Sequence, residues 1–331
     1  MGYYLHIIKE TIKKIFFKNH RRQSDNNLFT YSLNKFIRFV IGQFFMCAIL
    51  KKIGIYKFLH LKKSQVSSER ELIVLSIVKN EGFYIKEWID FHLLIGVDKF
   101  IIYDNGSTDD TKTILQPYID SKIVRYIYLP GESQQVPAYR DAIKNQLKVS
   151  AWVITIDVDE FLVPVSQVTL KDFLKTVPNS VSQIMIGWMV YGSNNLICRP
   201  KGLVIENFSR HAKNDYIADY KSIIKSERFI DVLNAHMYLV AGKTVDENMH
   251  RIWSYPYSEM IGSRPASKRI FRINHYYTKS LEEYELKIKR GDAYNSKINL
   301  KSMAEFHMQD KNELTDNLMR PYIKELKNIE K

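Results

Sequence analysis

Cysteine is nearly missing from this chain, whose 331 residues hold only Cys47 and Cys198. Two cysteines make neither a disulfide framework nor a thiolate metal centre, so a reducing, cytoplasmic compartment is the simplest expectation. Also lacking is an apolar run long enough to cross a bilayer, which takes roughly 20 residues. The best candidate, Phe39 to Leu50, stops after about a dozen and is bracketed by Arg38 and Lys51-Lys52. It lies too far from the N-terminus, and is too weakly followed by small residues, to read as a secretory signal. No internal repeat and no low-complexity linker breaks the sequence. Hydrophobic residues at 45% and charged residues at 26% exclude a disordered chain and fit one large domain with appendages.

Acidic residues are scarce at one end only. Residues 1–70 carry fourteen Lys/Arg against Glu10, Asp25 and Glu69, which is +11 of the chain's net +13. The rest of the chain is close to neutral. A basic end calls for an anionic surface, either nucleic acid or membrane. Apolar residues interleave with the lysines at near-helical spacing over Leu5 to Phe17, which favours lipid over nucleic acid. Two readings stay open: an interfacial helix pair at the inner face of the plasma membrane, or a basic helical extension packed on the catalytic domain.

From Glu71 the pattern changes. Leu72 to Val78 is an unbroken apolar run, the mark of a strand buried on both faces. Helical spacing follows over Tyr84 to Ile95, then strands at Phe100 to Tyr103 and Ile123 to Tyr128. A helix capped by Ser107 or Thr108 runs to about Ile119, another spans Gln134 to Lys148, and a strand covers Ala151 to Ile156. This alternation predicts an open, mostly parallel α/β sheet flanked by helices. Ligands of such sheets sit beyond the carboxyl ends of the strands. Three polar clusters fall there: Lys79-Asn80-Glu81, Asp104-Asn105 and Asp157-Val158-Asp159-Glu160. Past Pro164 come strand-like runs at Gln183 to Tyr191, Gly202 to Phe208, His236 to Val240 and Arg269 to Ile273. A helix opens at Ser280 with Glu283 as its capping-box partner, and a charged helical tail follows.

The acidic cluster carries the chemistry. Alternate residues on a strand point the same way, so Asp157 and Asp159, flanking Val158, can present both carboxylates to one ligand. Two adjacent carboxylates repel unless a cation intervenes, and Mg²⁺ or Mn²⁺ fits, with phosphates completing its shell.

These segments, with Glu87-Trp88-Ile89, Gln135, Tyr139, Asp141, Lys221-Ser222-Ile223, Asn274-His275-Tyr276, Lys279-Ser280, Lys287 and Arg290-Gly291, resemble glycosyltransferase family 2 of the GT-A type, in its branch close to family 92. The resemblance covers roughly residues 71–292. It implies a GT-A domain over 71–295, an N-terminal extension over 1–70 and a helical tail over 296–331. It further implies a nucleotide-sugar donor, most often a uridine diphosphate sugar, with galactose the sugar suggested by family 92. Asn80, Glu81, Asp104, Asn105, Gln135, Asp141 and Asp157 would bind that donor, with Lys221, Lys287 and Arg290 as candidate basic groups for its diphosphate. Asp157, Asp159 and His275 would hold Mn²⁺ or Mg²⁺. Inverting transfer to a cell-surface glycan or a lipid-linked acceptor then needs a general base. Glu160 is nearest to the metal pair; Asp215, Asp219 and His236 lie in the acceptor half.

Two other classes were weighed. A nucleotidyltransferase would place a Gly/Arg/Lys-rich loop after the first strand, where this chain has Lys79-Asn80-Glu81-Gly82, with an acid in the phosphate position. A non-catalytic sugar-binding relative would not need the full acidic set.

Residues 1–70 yield a first prediction. The full chain should float with anionic vesicles, more weakly as salt rises, and the chain starting at Glu71 should not. Equal flotation of the two would remove the membrane reading.

Overall fold

The computed structural model describes residues 70–147, 150–216, 218–252, 267–290 and 301–329, all within the unit Phe58–Lys331. The basic extension and Gly291 lie outside the described residues. No helix among the described residues is long and apolar enough to cross a membrane.

Four strands and the helices between them build the first half: β1 (Glu71–Val78), α1 (Gly82–Leu94), β2 (Lys99–Asp104), α2 (Thr111–Asp120), β3 (Val124–Tyr128), α3 (Gln135–Asp141) and β4 (Ala151–Thr155). The strands lie in the order β3-β2-β1-β4, all parallel. Along β1 the side chains divide by parity. Leu72, Val74 and Val78 pack with Ile85, Trp88 and Ile89 of α1 and Leu115 of α2. Ile73, Leu75 and Ile77 pack with Ala138 and Tyr139 of α3. Helices therefore cover both faces, which is why this strand reads as continuously apolar. The chain moves outward from β1 to β3 and returns for β4 on the other side of β1. That reversal opens a crevice between the carboxyl ends of β1 and β4.

The second half adds β5 (Glu160–Pro164), α4 (Leu170–Thr176), β6 (Val181–Val190), α5 (Val204–Asn207), β7 (Arg210–His211), β8 (Tyr220–Lys225), β9 (Phe229–Val232), β10 (Tyr238–Val240), β11 (Lys243–Asp246), β12 (Phe271–His275), α6 (Leu281–Arg290), α7 (Met303–Gln309), β13 (Leu314–Thr315) and α8 (Arg320–Ile329). The sheet continues from β4 through β8, β6 and β12 to β5, with β11 also on β6. β8 runs antiparallel to both neighbours, and β5 antiparallel to β12. The sheet is thus mostly parallel, with antiparallel insertions where the donor half meets the rest.

Several expectations need correction. Gly202 to Phe208 holds a short helix, not a strand: Glu87 of α1 points its carboxylate at the N–H groups of Val204 and Ile205, 2.7 and 3.1 Å away. That satisfies two amide donors at a helix start. The expected helix over Gln134 to Lys148 changes at Ala142 into a five-residue π-helix ending at Gln146. Neither Ser107 nor Thr108 caps α2. Asp109 instead accepts from the N–H groups of Thr111 and Gly82, tying the starts of α1 and α2 together. Ser280 and Glu283 do form the expected capping box.

The C-terminal tail is part of the domain. Met319 and Leu326 are buried in the main core, and Tyr322 packs against Phe91 of α1. Asp316 pairs with the buried Arg272 guanidinium of β12 and also accepts from Tyr191. Asp316→Ala would leave Arg272 buried without its anion. We expect a loss of roughly 3 kcal/mol in urea unfolding at neutral pH, the low end for a broken buried pair, because Asp316 keeps a quarter of its side chain exposed. Unchanged stability would show that the tail is only loosely attached.

Candidate active site

The crevice between β1 and β4 opens into a cavity of about 740 Å³ lined by Lys79, Glu81, Asn105, Gln135, Asp157, Asp159, Trp188, Lys221, His236, His275, Lys287 and Arg290, among others. The three polar clusters of the parallel strands thus meet on one rim.

β4 ends at Thr155, so Asp157 and Asp159 do not alternate on a strand as expected; they flank a tight turn. The Glu160 N–H donates to the Asp157 carbonyl at 3.0 Å, and the Asp157 N–H donates to Glu160 Oε2 at 3.1 Å. Trp88 of α1 fixes the turn from below by donating to the Glu160 carbonyl. As a result the two aspartates face different partners. Asp157 Oδ2 lies 3.0 Å from Lys221 Nζ, and its Oδ1 lies 3.4 Å from Gln135 Nε2. Asp159 Oδ2 takes Lys287 at 2.6 Å, while Oδ1 lies 3.6 Å from His275 Nε2.

The β5–β12 ladder sets Glu160 directly opposite His275. Partners in an antiparallel ladder share a face, so Glu160 joins His275 and Asp159. One ligand atom from each of these three falls within 4.8 Å of the others. The structure brings Asp159, Glu160 and His275 together as a group that would hold a cation; Asp157, the other expected ligand, has one carboxylate oxygen 3.0 Å from Lys221. Glu160 Oε1 and His275 Nδ1 are buried without a hydrogen-bond partner. An orphaned carboxylate oxygen beside an imidazole and a second carboxylate fits a divalent cation.

The electrostatics agree. Burial pushes the Glu160 carboxyl well above its ordinary range; Lys221 opposes this, and Asp157 and Asp159 add to it. Burial also works against the charged form of Asp159, but Lys287 and His275 outweigh it and hold the carboxyl well below the usual range. Lys221 is completely buried, and that burial is outweighed by Asp157 and Glu160, which keep it charged. His275 is lowered by burial, partly offset by Asp159; a neutral ring is the form that binds metals.

The remaining expected residues divide into those that face the cavity and those that do not. Glu81 lines it and pairs with Arg290, which also donates to the Lys79 carbonyl. Asn105 lines it while its amide donates to the Leu129 and Gly131 carbonyls. Gln135 lines it at the start of α3. Asp104 is buried beneath the rim, accepting from the Ser107 N–H and the Tyr126 hydroxyl. Asn80, in a left-handed backbone conformation, uses its side chain to receive the Thr108 N–H. Asp141 does not line the cavity; it accepts from Tyr103, Asn145 and Gln146. These three hold the loops that shape the site. Glu160, the expected general base, has no side-chain exposure. Trp188 was missed. Its apolar strand run carried no sign that the indole would face the cavity.

Carboxylates, an imidazole and three basic side chains thus meet at the reversal point of the sheet. The chain belongs to glycosyltransferase family 92, whose profile matches residues 77–319. The sequence resemblance named family 2 near family 92; the profile that matches is that of family 92. A family 92 protein of Ricinus communis is 28% identical over 226 residues, 66% of this chain and 38% of that protein. One of Arabidopsis thaliana is 25% identical over 242 residues, 69% of this chain and 38% of that protein. The chain thus spans well under half the length of these relatives. Among solved structures, S. aureus TarS 1–349 in complex with UDP-GlcNAc is 15% identical with a TM-score of 0.32, covering 58% of this chain and 62% of that one. Glucosyl-3-phosphoglycerate synthase from Mycobacterium tuberculosis is 19% identical with a TM-score of 0.26, covering 37% and 45%.

The completely buried Lys221, paired with Asp157 and Glu160, makes a stability prediction. Lys221→Met leaves both carboxylates without their cation and should cost about 3–5 kcal/mol in chemical unfolding. Adding Glu160→Gln to that variant should recover part of the loss. Simple additivity of the two changes would show that the pair is not coupled.

Proposed function

We propose that this chain transfers a hexosyl group, with inversion, from a nucleotide diphosphate sugar to a hydroxyl of a cell-surface glycan or lipid-linked acceptor. A uridine diphosphate sugar is the favoured donor, and galactose the favoured sugar. One observation carries the reading: the Asp159, Glu160 and His275 cradle lies against Lys287, with Lys221 and Arg290 in the same cavity. Paired metal and basic groups are what a departing diphosphate requires, since it gains charge as the sugar bond breaks.

Asp159, Glu160 and His275 would hold Mn²⁺ or Mg²⁺, and Mn²⁺ suits the mixed oxygen and imidazole set better. When bound, the cation would supply positive charge that stabilises the departing diphosphate. Glu81, Asn105 and Gln135 line the side of the cavity suited to the nucleoside, and Asp157 stands where a ribose would approach. Lys287 and Arg290 pair with acids of the site when no donor is present, and both can turn to phosphate when one arrives. The basic residues 1–70 support a place at the cytoplasmic face of a membrane, where lipid-linked acceptors are found.

Calorimetric titration with a set of nucleoside diphosphates, with and without Mn²⁺, tests the reading. One nucleotide should bind only with the metal, and Asp159→Ala should lose that binding while staying folded. If no nucleotide binds under either condition, the acidic rim is structural and the proposal is lost.

A further inference from the structure

His236 lines the cavity yet belongs to neither the cation cradle nor the basic cluster. It sits in the turn between β9 and β10, and that turn is tightly built. Asn234 Oδ1 accepts from the N–H groups of His236 and Met237 at 2.7 and 2.9 Å. The Ser222 hydroxyl donates to the His236 carbonyl at 2.7 Å. His236 Nδ1 lies 2.9 Å from the Tyr220 carbonyl. A carbonyl can only accept, so Nδ1 carries the proton and the neutral ring keeps a lone pair on Nε2.

Nε2 lies 3.9 Å from Asp219 Oδ2. That is too far for a direct hydrogen bond, so Asp219 acts on the ring through its charge. The Trp188 ring borders both cavity histidines, its centroid 5.2 Å from that of His236 and 4.1 Å from that of His275. The indole offers a flat apolar surface on which a sugar ring can rest. An inverting displacement needs a base on the side of the sugar opposite the leaving group. Of the acids at the turn, Glu160 has no exposure, and Asp157 is paired with Lys221.

We propose that His236 is the general base that deprotonates the acceptor hydroxyl, with Asp219 as the positioning residue that stabilises the imidazolium. The proposal rests on the transferase reading above. The acceptor O–H proton passes to Nε2, and the oxygen forms the new bond to the anomeric carbon. The bond from that carbon to the diphosphate oxygen breaks, and its electron pair leaves with the diphosphate. Three charged groups surround the ring: Asp219 before β8, Lys221 on β8 and Asp157 on the acidic turn. Burial and then Lys221 lower the basicity of His236; Asp219 and Asp157 partly restore it. The ring is thus neutral at neutral pH, with its lone pair free to accept.

The test uses the full chain with Mn²⁺ and follows UDP release from UDP-galactose, UDP-glucose and UDP-N-acetylglucosamine, with water or a methyl galactoside as the nucleophile. His236→Gln should lower turnover roughly 10²–10⁴-fold while UDP binding with Mn²⁺ is unchanged. In the wild type, turnover should fall as pH drops and His236 gains its proton, and the glutamine variant should lack that limb. Asp219→Asn should move the limb to lower pH. Nitrogen NMR of the histidine-labelled wild type should place the proton on Nδ1. Full turnover in His236→Gln, or a proton resident on Nε2, overturns the proposal. A wild type that binds no nucleotide overturns the transferase reading with it.

Discussion

Everything in this site depends on charge compensation at one turn. Asp157, Asp159 and Glu160 put three carboxyls into a four-residue span at the edge of a buried core. Such a cluster could not remain ionised there without cations close by. The fold brings each one from a different element. Lys221 comes from β8, the antiparallel strand wedged beside β4. Lys287 comes from α6. The antiparallel insertions in an otherwise parallel sheet are therefore what allow the acidic turn to exist. A wholly parallel continuation after β4 would have started every new strand at the far edge and left this turn with no neighbour of opposite charge.

The compensation is uneven. Lys221 is completely buried and serves Asp157 and Glu160 together, so it is a fixed part of the floor. Lys287 and Arg290 reach the site from α6, each holding one carboxylate. The Lys287–Asp159 pair is largely buried and holds the Asp159 carboxyl well below its ordinary range, while Arg290 keeps more of its side chain exposed.

The donor half was legible because its signals are local. β1, α1, β2, β3 and β4 alternate in sequence order, and a parallel sheet built in that order places strand ends on one rim by topology alone. Hydrophobic runs, turn residues and an acidic cluster after an apolar strand carried that inference. What failed needed register or context. Nothing within Asp157-Val158-Asp159 shows that the strand has ended two residues earlier, so the alternation argument pointed both aspartates at one ion. Glu160 meets His275 only through the β5–β12 register, across more than a hundred residues of chain. The helix at Val204 forms because Glu87, distant in sequence, supplies its missing acceptor; an apolar run of that length reads equally well as a strand. Asp104 and Asp141, which the resemblance assigned to the donor, accept from tyrosines of the same domain.

The two cavity histidines show why residue type alone does not assign a role. Both are lowered by burial, both touch Trp188, and both stand near an aspartate. The difference lies in what the other ring nitrogen meets. His236 Nδ1 is tied to a carbonyl, which fixes the tautomer and leaves Nε2 a lone pair beside an exposed carboxylate. His275 Nδ1 is buried with no partner, and its Nε2 faces two carboxylates that can share a cation with it. A backbone carbonyl fixes the tautomer of one ring, and two carboxylates face the other, so one residue type meets two different chemistries in the same cavity.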